Sequence, residues 1–264
     1  MMQFQGLLVD FDGTIHTQNQ YVSPRVTAAI QGLTARGIKV GICTGRHFGF
    51  IQQYVQSAGL DDVHVVCGGA QLIGADGGVV QETVIPADVV RHIAEKIEVW
   101  CGTLIIKQTA MLYGNGRACE EIAGKNNGAS ALLRPLTELV DWHAPSVYLR
   151  DIPDDAWQEL ETYPQMTLCK QRLRSGAPGY FADGTAPGVS KQQGAAWWCA
   201  HHGLDPQHVL GIGDGENDLG LFAAVGRRLA MGNAVPALKA QADAVIPSVA
   251  ADGVAWAIDH YFKD

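Results

Sequence analysis

The sequence predicts an α/β protein, a doubly wound, Rossmann-like parallel sheet interrupted by an inserted α+β domain. Three observations carry this prediction. The first 70 or so residues alternate strand, helix, strand, helix, strand. The alternation breaks near Pro86 and resumes near Lys191. The strand candidates on both sides of the break are short, near-continuously apolar runs, the pattern of strands covered on both faces. A chain of 264 residues, 47% hydrophobic and 17% charged, has the composition of a globular protein with a substantial core.

Each element follows from local chemistry. Residues 4–9 read as the first strand. Ser23 is placed to cap a helix and Pro24 fits its first position; Val26, Ala29, Ile30 and Leu33 continue at helical spacing until Gly37. Residues 38–43 form a second strand, 48–58 a helix ended by Gly59, and 63–67 a third strand. Leu72-Ile73 and Val79-Val80 flank Asp76-Gly77-Gly78 and predict a hairpin. Right-handed crossovers then give a parallel sheet.

From 84 to 178 the order is irregular. A helix is predicted around 89–97, and strands at 104–107, 111–113 and 146–150. A further helix is predicted at 154–163 and an extended stretch at 166–173. We assign 84–178 to the inserted domain and 1–83 plus 179–264 to the core. In the second core part, helices are predicted at 191–202, 217–224, 236–241 and 253–262. They alternate with strands at 209–213, 228–231 and 244–246.

The formal net charge of -8 excludes a general electrostatic attraction to nucleic acid or anionic membranes. No apolar run reaches membrane-spanning length. The six cysteines, at 43, 67, 101, 119, 169 and 199, show no metal-ligand or CxxC spacing and read as mostly buried thiols of a reducing compartment. With no signal-peptide pattern at the start, the expected location is the cytoplasm, and no obligate protein partner is evident.

Ligands of open parallel sheets sit at the carboxyl ends of the strands, and three strands here end in polar chemistry. Asp10-Phe11-Asp12-Gly13-Thr14 ends the first. An Asp-Gly turn explains Asp12 but not Asp10, whose desolvation at the end of a buried strand needs a partner. Ile42-Cys43-Thr44-Gly45-Arg46 ends the second. Thr44 suits a helix cap and an anion site equally. Gly213-Asp214-Gly215-Glu216-Asn217-Asp218 ends the third. Asp218 or Asn217 could be a simple cap, but Asp214 repeats the oddity of Asp10. Two such acids on neighbouring strands suggest a shared divalent cation, and oxygen-only ligands point to Mg²⁺. Lys191 follows the cap Ser190, where a cation opposes the helix dipole and a bound phosphate would remove that penalty. His201 and His202 close a helix C-terminus, Trp197 and Trp198 are packing residues, and His16 and His47 lie near the motifs as minor candidates for substrate contact.

Together, DFDGT (10–14), TGR (44–46), GVSK (188–191), GDGEND (213–218) and AMGNA (230–234) resemble the haloacid dehalogenase superfamily, and most closely its Cof-type phosphatases with an inserted C2B cap. Where relatives commonly show Asn-Gly-Ala, this chain has Gly68-Gly69-Ala70. The resemblance implies a Mg²⁺-dependent phosphatase acting on small phosphorylated metabolites, sugar phosphates or phosphorylated cofactors, through an aspartyl-phosphate. It assigns Asp10 as nucleophile and Asp12 as general acid, with a carboxyl pKa above its reference value. The metal ligands would be Asp10, the Asp12 carbonyl and Asp214, with Asp218 acting directly or through water. Lys191, Thr44, Asn217 and the N–H groups of Phe11 and Gly45 would hold the phosphoryl oxygens, and Arg46 would meet the substrate. The insertion would form a lid, with Lys107, Tyr113 and Arg150 as candidate leaving-group contacts. The superfamily's ATPases carry threonine in place of Asp12, so the acid favours ester hydrolysis or, as the alternative, phosphomutase chemistry. A non-enzymatic phosphoacceptor module is the alternative of another class.

Overall fold

The computed structural model describes residues 4–17, 22–122, 131–173 and 179–263. In the first part, β1 (Gly6–Val9) leads to the helix Pro24–Ala35, then β2 (Lys39–Ile42), the helix Gln52–Ser57 and β3 (Val63–Val66). Ser23 caps the first helix by accepting from the Arg25 N–H. The predicted helix at 48–58 starts instead as a single 3-10 turn, Phe48–Phe50, because the His47 side chain accepts from the Gly49 N–H and closes that turn on itself. β4 (Gln71–Gly74) and β5 (Val79–Glu82) form the predicted hairpin. β3 touches the parallel sheet through one bridge, Cys43 to Val65, and pairs along its length with β4 in a separate antiparallel sheet.

The insertion contributes the helix Ala87–Val99, β6 (Thr103–Lys107), β7 (Leu112–Gly114), the helix Gly116–Ile122 and β8 (Leu133–Pro135). It continues with β9 (Ser146–Arg150), the helix Asp154–Glu161, β10 (Thr167–Arg172) and β11 (Tyr180–Thr185). Its sheet has the order β10-β11-β9-β6-β7-β8 and is antiparallel except where β7 meets β8. One face packs under the two longer helices through Ile93, Ile97, Trp157 and Leu160, all buried. β11 corrects the predicted boundary at 178/179, since residues 180–185 pair with both β9 and β10. Its Asp183 and Gly184 disguise the strand pattern. Gly184 is nevertheless at home in the sheet, where Val147 and Leu168 leave no room for a larger residue.

The last part alternates as predicted: the helix Lys191–His202, β12 (Val209–Gly213), the helix Asp218–Ala223, β13 (Arg227–Met231), the helix Pro236–Lys239, β14 (Ala244–Ile246) and the helix Gly253–Tyr261. The parallel sheet has the order β14-β13-β12-β1-β2. β12 is its centre and β1 lies beside it; Leu7, Leu8 and Val9 of β1 are fully buried because helices cover both faces. The strand order reverses between β1 and β12. A crevice opens at such a switch point, beyond the strands' carboxyl ends. All six cysteines are free, and Cys43, Cys67 and Cys199 are buried, whereas Cys101 is exposed, contrary to the expectation for most of them. Among the described residues no helix is both long and apolar enough to cross a membrane.

Candidate active site

Strand register brings Asp10 opposite Gly213, one residue short of Asp214. Val9 pairs with Ile212, and the Asp10 N–H donates to the Ile212 carbonyl at 2.9 Å, so the residues that leave β1 and β12 emerge side by side. Asp218, in the first turn of the next helix, folds back beneath them. It fits because residue 213 is glycine; a Cβ there would lie 2.4 Å from the Asp218 Cγ. Asp218 Oδ2 accepts from the N–H groups of Asp214 and Gly215, both at 2.9 Å. Its Oδ1 accepts from Lys191 Nζ at 2.6 Å, and the same Nζ donates to Asp10 Oδ1 at 2.6 Å. Carboxylate oxygens of Asp10, Asp214 and Asp218 lie within 4.8 Å of one another, and all three residues are buried.

The charges there do not balance: three carboxylates face one ammonium. Burial, with help from the Asp218 and Asp214 charges, pushes the Asp10 carboxyl up to about 8 against the pull of Lys191. Burial opposes the charge on Lys191, but Asp10 and Asp218 outweigh it and raise its pKa well above the usual value. A hard divalent cation fits this donor set, because it would absorb the surplus negative charge that otherwise favours a proton on Asp10. Asp214 accepts long bonds, from Thr14 Oγ1 at 3.5 Å and Asn233 Nδ2 at 3.4 Å. Asp218 is more heavily engaged, with two N–H groups on Oδ2 and Lys191 on Oδ1, which suits contact through water.

Asp12 differs from the expectation. Arg46 grips it with two parallel bonds, Nε to Oδ2 and Nη2 to Oδ1, each 2.5 Å, and His16 Nδ1 lies 3.4 Å from Oδ1. Burial alone would raise its pKa, but the hydrogen bonds and charges of His16 and Arg46 outweigh burial and hold the carboxyl well below its usual range. The resemblance implies a raised pKa for Asp12, whereas Arg46 and His16 favour its ionised form. Arg46 is itself held between the rings of Phe11 and Phe50, 5.5 and 5.7 Å from their centroids. His16 stacks on Phe11.

Other predicted residues gather around this centre. Thr44 is buried at the end of β2 and its hydroxyl accepts from the Arg46 N–H at 3.2 Å. It therefore braces its own loop, and the following turn is capped by His47 instead. Asn217 precedes the Asp218 helix, and its Oδ1 is buried without a hydrogen-bond partner, a polar atom awaiting a ligand. Lys107 reaches from β6 to the Gly45 carbonyl at 2.8 Å and to Asp183 at 2.5 Å. His47 Nε2 meets the carbonyls of Gln108 and Thr109 at 2.7 and 3.0 Å, so it ties the insertion to the TGR loop. Arg150 pairs with Glu121 and Asp151 within the insertion, and Tyr113 packs there partly buried.

Asn233, in the AMGNA segment, also reaches the site. Its Nδ2 donates to the Gly13 carbonyl at 2.8 Å and faces Asp214 Oδ2 at 3.4 Å, while its Oδ1 accepts from the Val249 N–H. It links the loops after β1, β12 and β13. The signal was its position just after an apolar strand, the same signal that marked Asp10 and Asp214.

Comparison with known proteins places this geometry among related chains. The sequence profile of the haloacid dehalogenase-like hydrolases matches residues 7–258. The chain is 25% identical to the stress response protein YhaX of Bacillus subtilis, over 99% of this chain and 94% of that one. It is 26% identical to a phosphoglycolate phosphatase of Methanothermobacter thermautotrophicus, over 97% and 98%. Its fold is similar to that of the subclass IIB sugar phosphatase BT4131, with a TM-score of 0.81 and 22% identity over 97% and 98% of the two chains.

Proposed function

From the premise that this chain belongs to the haloacid dehalogenase-like hydrolases, we propose a Mg²⁺-dependent phosphatase that hydrolyses small phosphorylated metabolites through an aspartyl-phosphate on Asp10. Sugar phosphates and phosphorylated cofactors are the substrate classes we favour, in keeping with the phosphatases among its relatives, and the cytoplasm is the expected location. One observation carries the reading. Asp10 and Asp214, 204 positions apart, converge with Asp218 around Lys191 at the switch point of the sheet.

When bound, the cation would supply positive charge between two anions, the carboxylate nucleophile and the phosphate dianion. Asp10 and Asp214 would hold it, with the Asp12 carbonyl. An ionised Asp10 needs no base; its oxygen attacks phosphorus as the bond to the leaving oxygen breaks. Lys191, the Thr44 hydroxyl, the Asn217 amide and the N–H groups of Phe11 and Gly45 would hold the phosphoryl oxygens as charge shifts. Once released from Arg46, Asp12 would take up a proton from solvent and give it to the departing alkoxide. It would then take one from the water that attacks the acyl phosphate, which releases phosphate and restores Asp10. To do so Asp12 must leave Arg46, and an incoming phosphate dianion competes for that guanidinium.

A panel of phosphorylated metabolites assayed for phosphate release tests the proposal. The expected outcome is release with Mg²⁺, loss on chelation and recovery on magnesium addition, without any bisphosphate activator. Full activity in chelator would remove Asp214 from its role. Turnover that needs a bisphosphate activator would make the protein a phosphomutase.

A further inference from the structure

The helix Lys191–His202 delivers Lys191 to the active site from its first turn. Its other end, about 18 Å away at 1.5 Å per residue, carries His201 and His202 beside Asp62, the residue that leads into β3. We propose that Asp62, His201 and His202 form a second metal site, for a borderline divalent cation of the zinc type. Donor atoms of the three lie within 4.8 Å of one another.

His202 provides the independent sign of a ligand. Its side chain is 4% exposed, and its Nε2 is buried without a hydrogen bond, facing Asp62 Oδ1 at 3.5 Å. Two donors that share a tetrahedral zinc ion sit about 3.4 Å apart, given metal bonds near 2.1 Å. The atoms are already held at that separation. The His202 ring stands edge-on to Trp198 at 4.6 Å, and Trp198 is anchored by its Nε1–H to the Val63 carbonyl. Asp62 is fixed as firmly, with the Val63 N–H on Oδ1 and Lys39 Nζ on Oδ2, both at 2.9 Å. His201 is exposed, its ring 5.0 Å from that of His202, and it leaves the site open to solvent.

The charges that face the site are Asp62 and Lys39; Lys39 pairs with Asp62 Oδ2 and opposes a dication, so the two imidazoles and Asp62 Oδ1 would supply the binding. Burial, aided by Lys39 and His201, lowers the His202 pKa, which leaves the imidazole lone pair available at neutral pH. The helix C-terminus adds its own negative field. Two imidazoles and one carboxylate select a softer ion than the three carboxylates at the other end of the helix. A cation here would join that helix to the start of β3 and fix the element that positions Lys191.

The test is zinc titration of the metal-stripped protein, followed by calorimetry and thermal melting. Wild type should bind one equivalent outside the carboxylate cluster and melt at a higher temperature. The double variant Asp10→Asn, Asp214→Asn should retain that equivalent. His201→Ala, an exposed change that leaves the fold intact, should weaken it about tenfold or more. With Cu²⁺ as probe, the imidazole coupling in pulsed electron paramagnetic resonance should fall from two rings to one in His201→Ala. Absence of zinc uptake, unchanged uptake in His201→Ala, or loss of uptake in the carboxylate variant would each overturn the site. The double variant also separates it from the active-site reading, because it disables only the latter.

Discussion

Asp10 and Asp12 are separated by one residue, yet their surroundings drive them in opposite directions. Asp10 lies deep at the sheet's switch point among like charges, and its carboxyl is pushed up to about 8. Asp12 lies at the rim, clasped by Arg46 and His16, and its carboxyl is pulled down. The resting centre therefore favours a proton on the proposed nucleophile and removes it from the proposed acid. In the proposed reaction each residue would reach its working state through a different visitor: a cation beside Asp10, and a phosphate that would draw Arg46 from Asp12. Chemical role here is set by neighbours rather than by residue type.

The largest expected effect is on turnover. Asp10→Asn should lower kcat at least about a thousandfold with the fold intact, because no other group can form the covalent intermediate. Asp12→Asn should slow formation of the aspartyl-phosphate about a hundredfold from an alkyl phosphate and far less from an aryl phosphate, whose leaving group needs no proton, while hydrolysis of the intermediate slows for both. Steady-state assays of Asp10→Asn and single-turnover release of the alcohol or phenol by Asp12→Asn check this; near-normal aryl phosphate turnover by Asp10→Asn, or equal losses in release of the two leaving groups by Asp12→Asn, would break the distinction. Next comes stability. Lys191→Met strips the ammonium from between Asp10 and Asp218 and should cost about 3–5 kcal/mol in urea unfolding with chelator present. Adding Asp10→Asn should recover part of that loss.

The smallest effect concerns Arg46. A carboxyl whose pKa is lowered by folding stabilises the protein above its usual range, and that contribution fades as pH falls through the lowered value. Arg46→Ala should return Asp12 toward its usual pKa. Its melting temperature should then drop less than that of wild type between about pH 5 and pH 3. Parallel acid limbs in the two proteins would show that the clamp does not govern Asp12.

Much of this was legible in the sequence because apolar strand runs ending in acids are a local signal. The positions of Asp10, Asp214 and Ser190 could be read directly, and the helix Lys191–His202 and the strands Val209–Gly213 and Ser146–Arg150 have the predicted bounds. What escaped depends on partners far along the chain. β11 is a strand only because β9 and β10 flank it. The lowered pKa of Asp12 depends on Arg46, 34 positions away, a partner that no local pattern reveals. The departure at Gly68 has a simple reason: its φ of 70° lies in the left-handed region, which asparagine and glycine both enter readily.

β11 ends at Thr185, and residues 186–190 alone join it to Lys191; on the incoming side, 83–86 join β5 to the helix Ala87–Val99. Two straps this short, spanning at most about 18 and 14 Å when fully extended, moor the six-stranded sheet close to the parallel one. The outgoing strap runs straight into Lys191, whose Nζ donates to Asp10, so the mooring of the insertion and the grip on Asp10 share one stretch of chain.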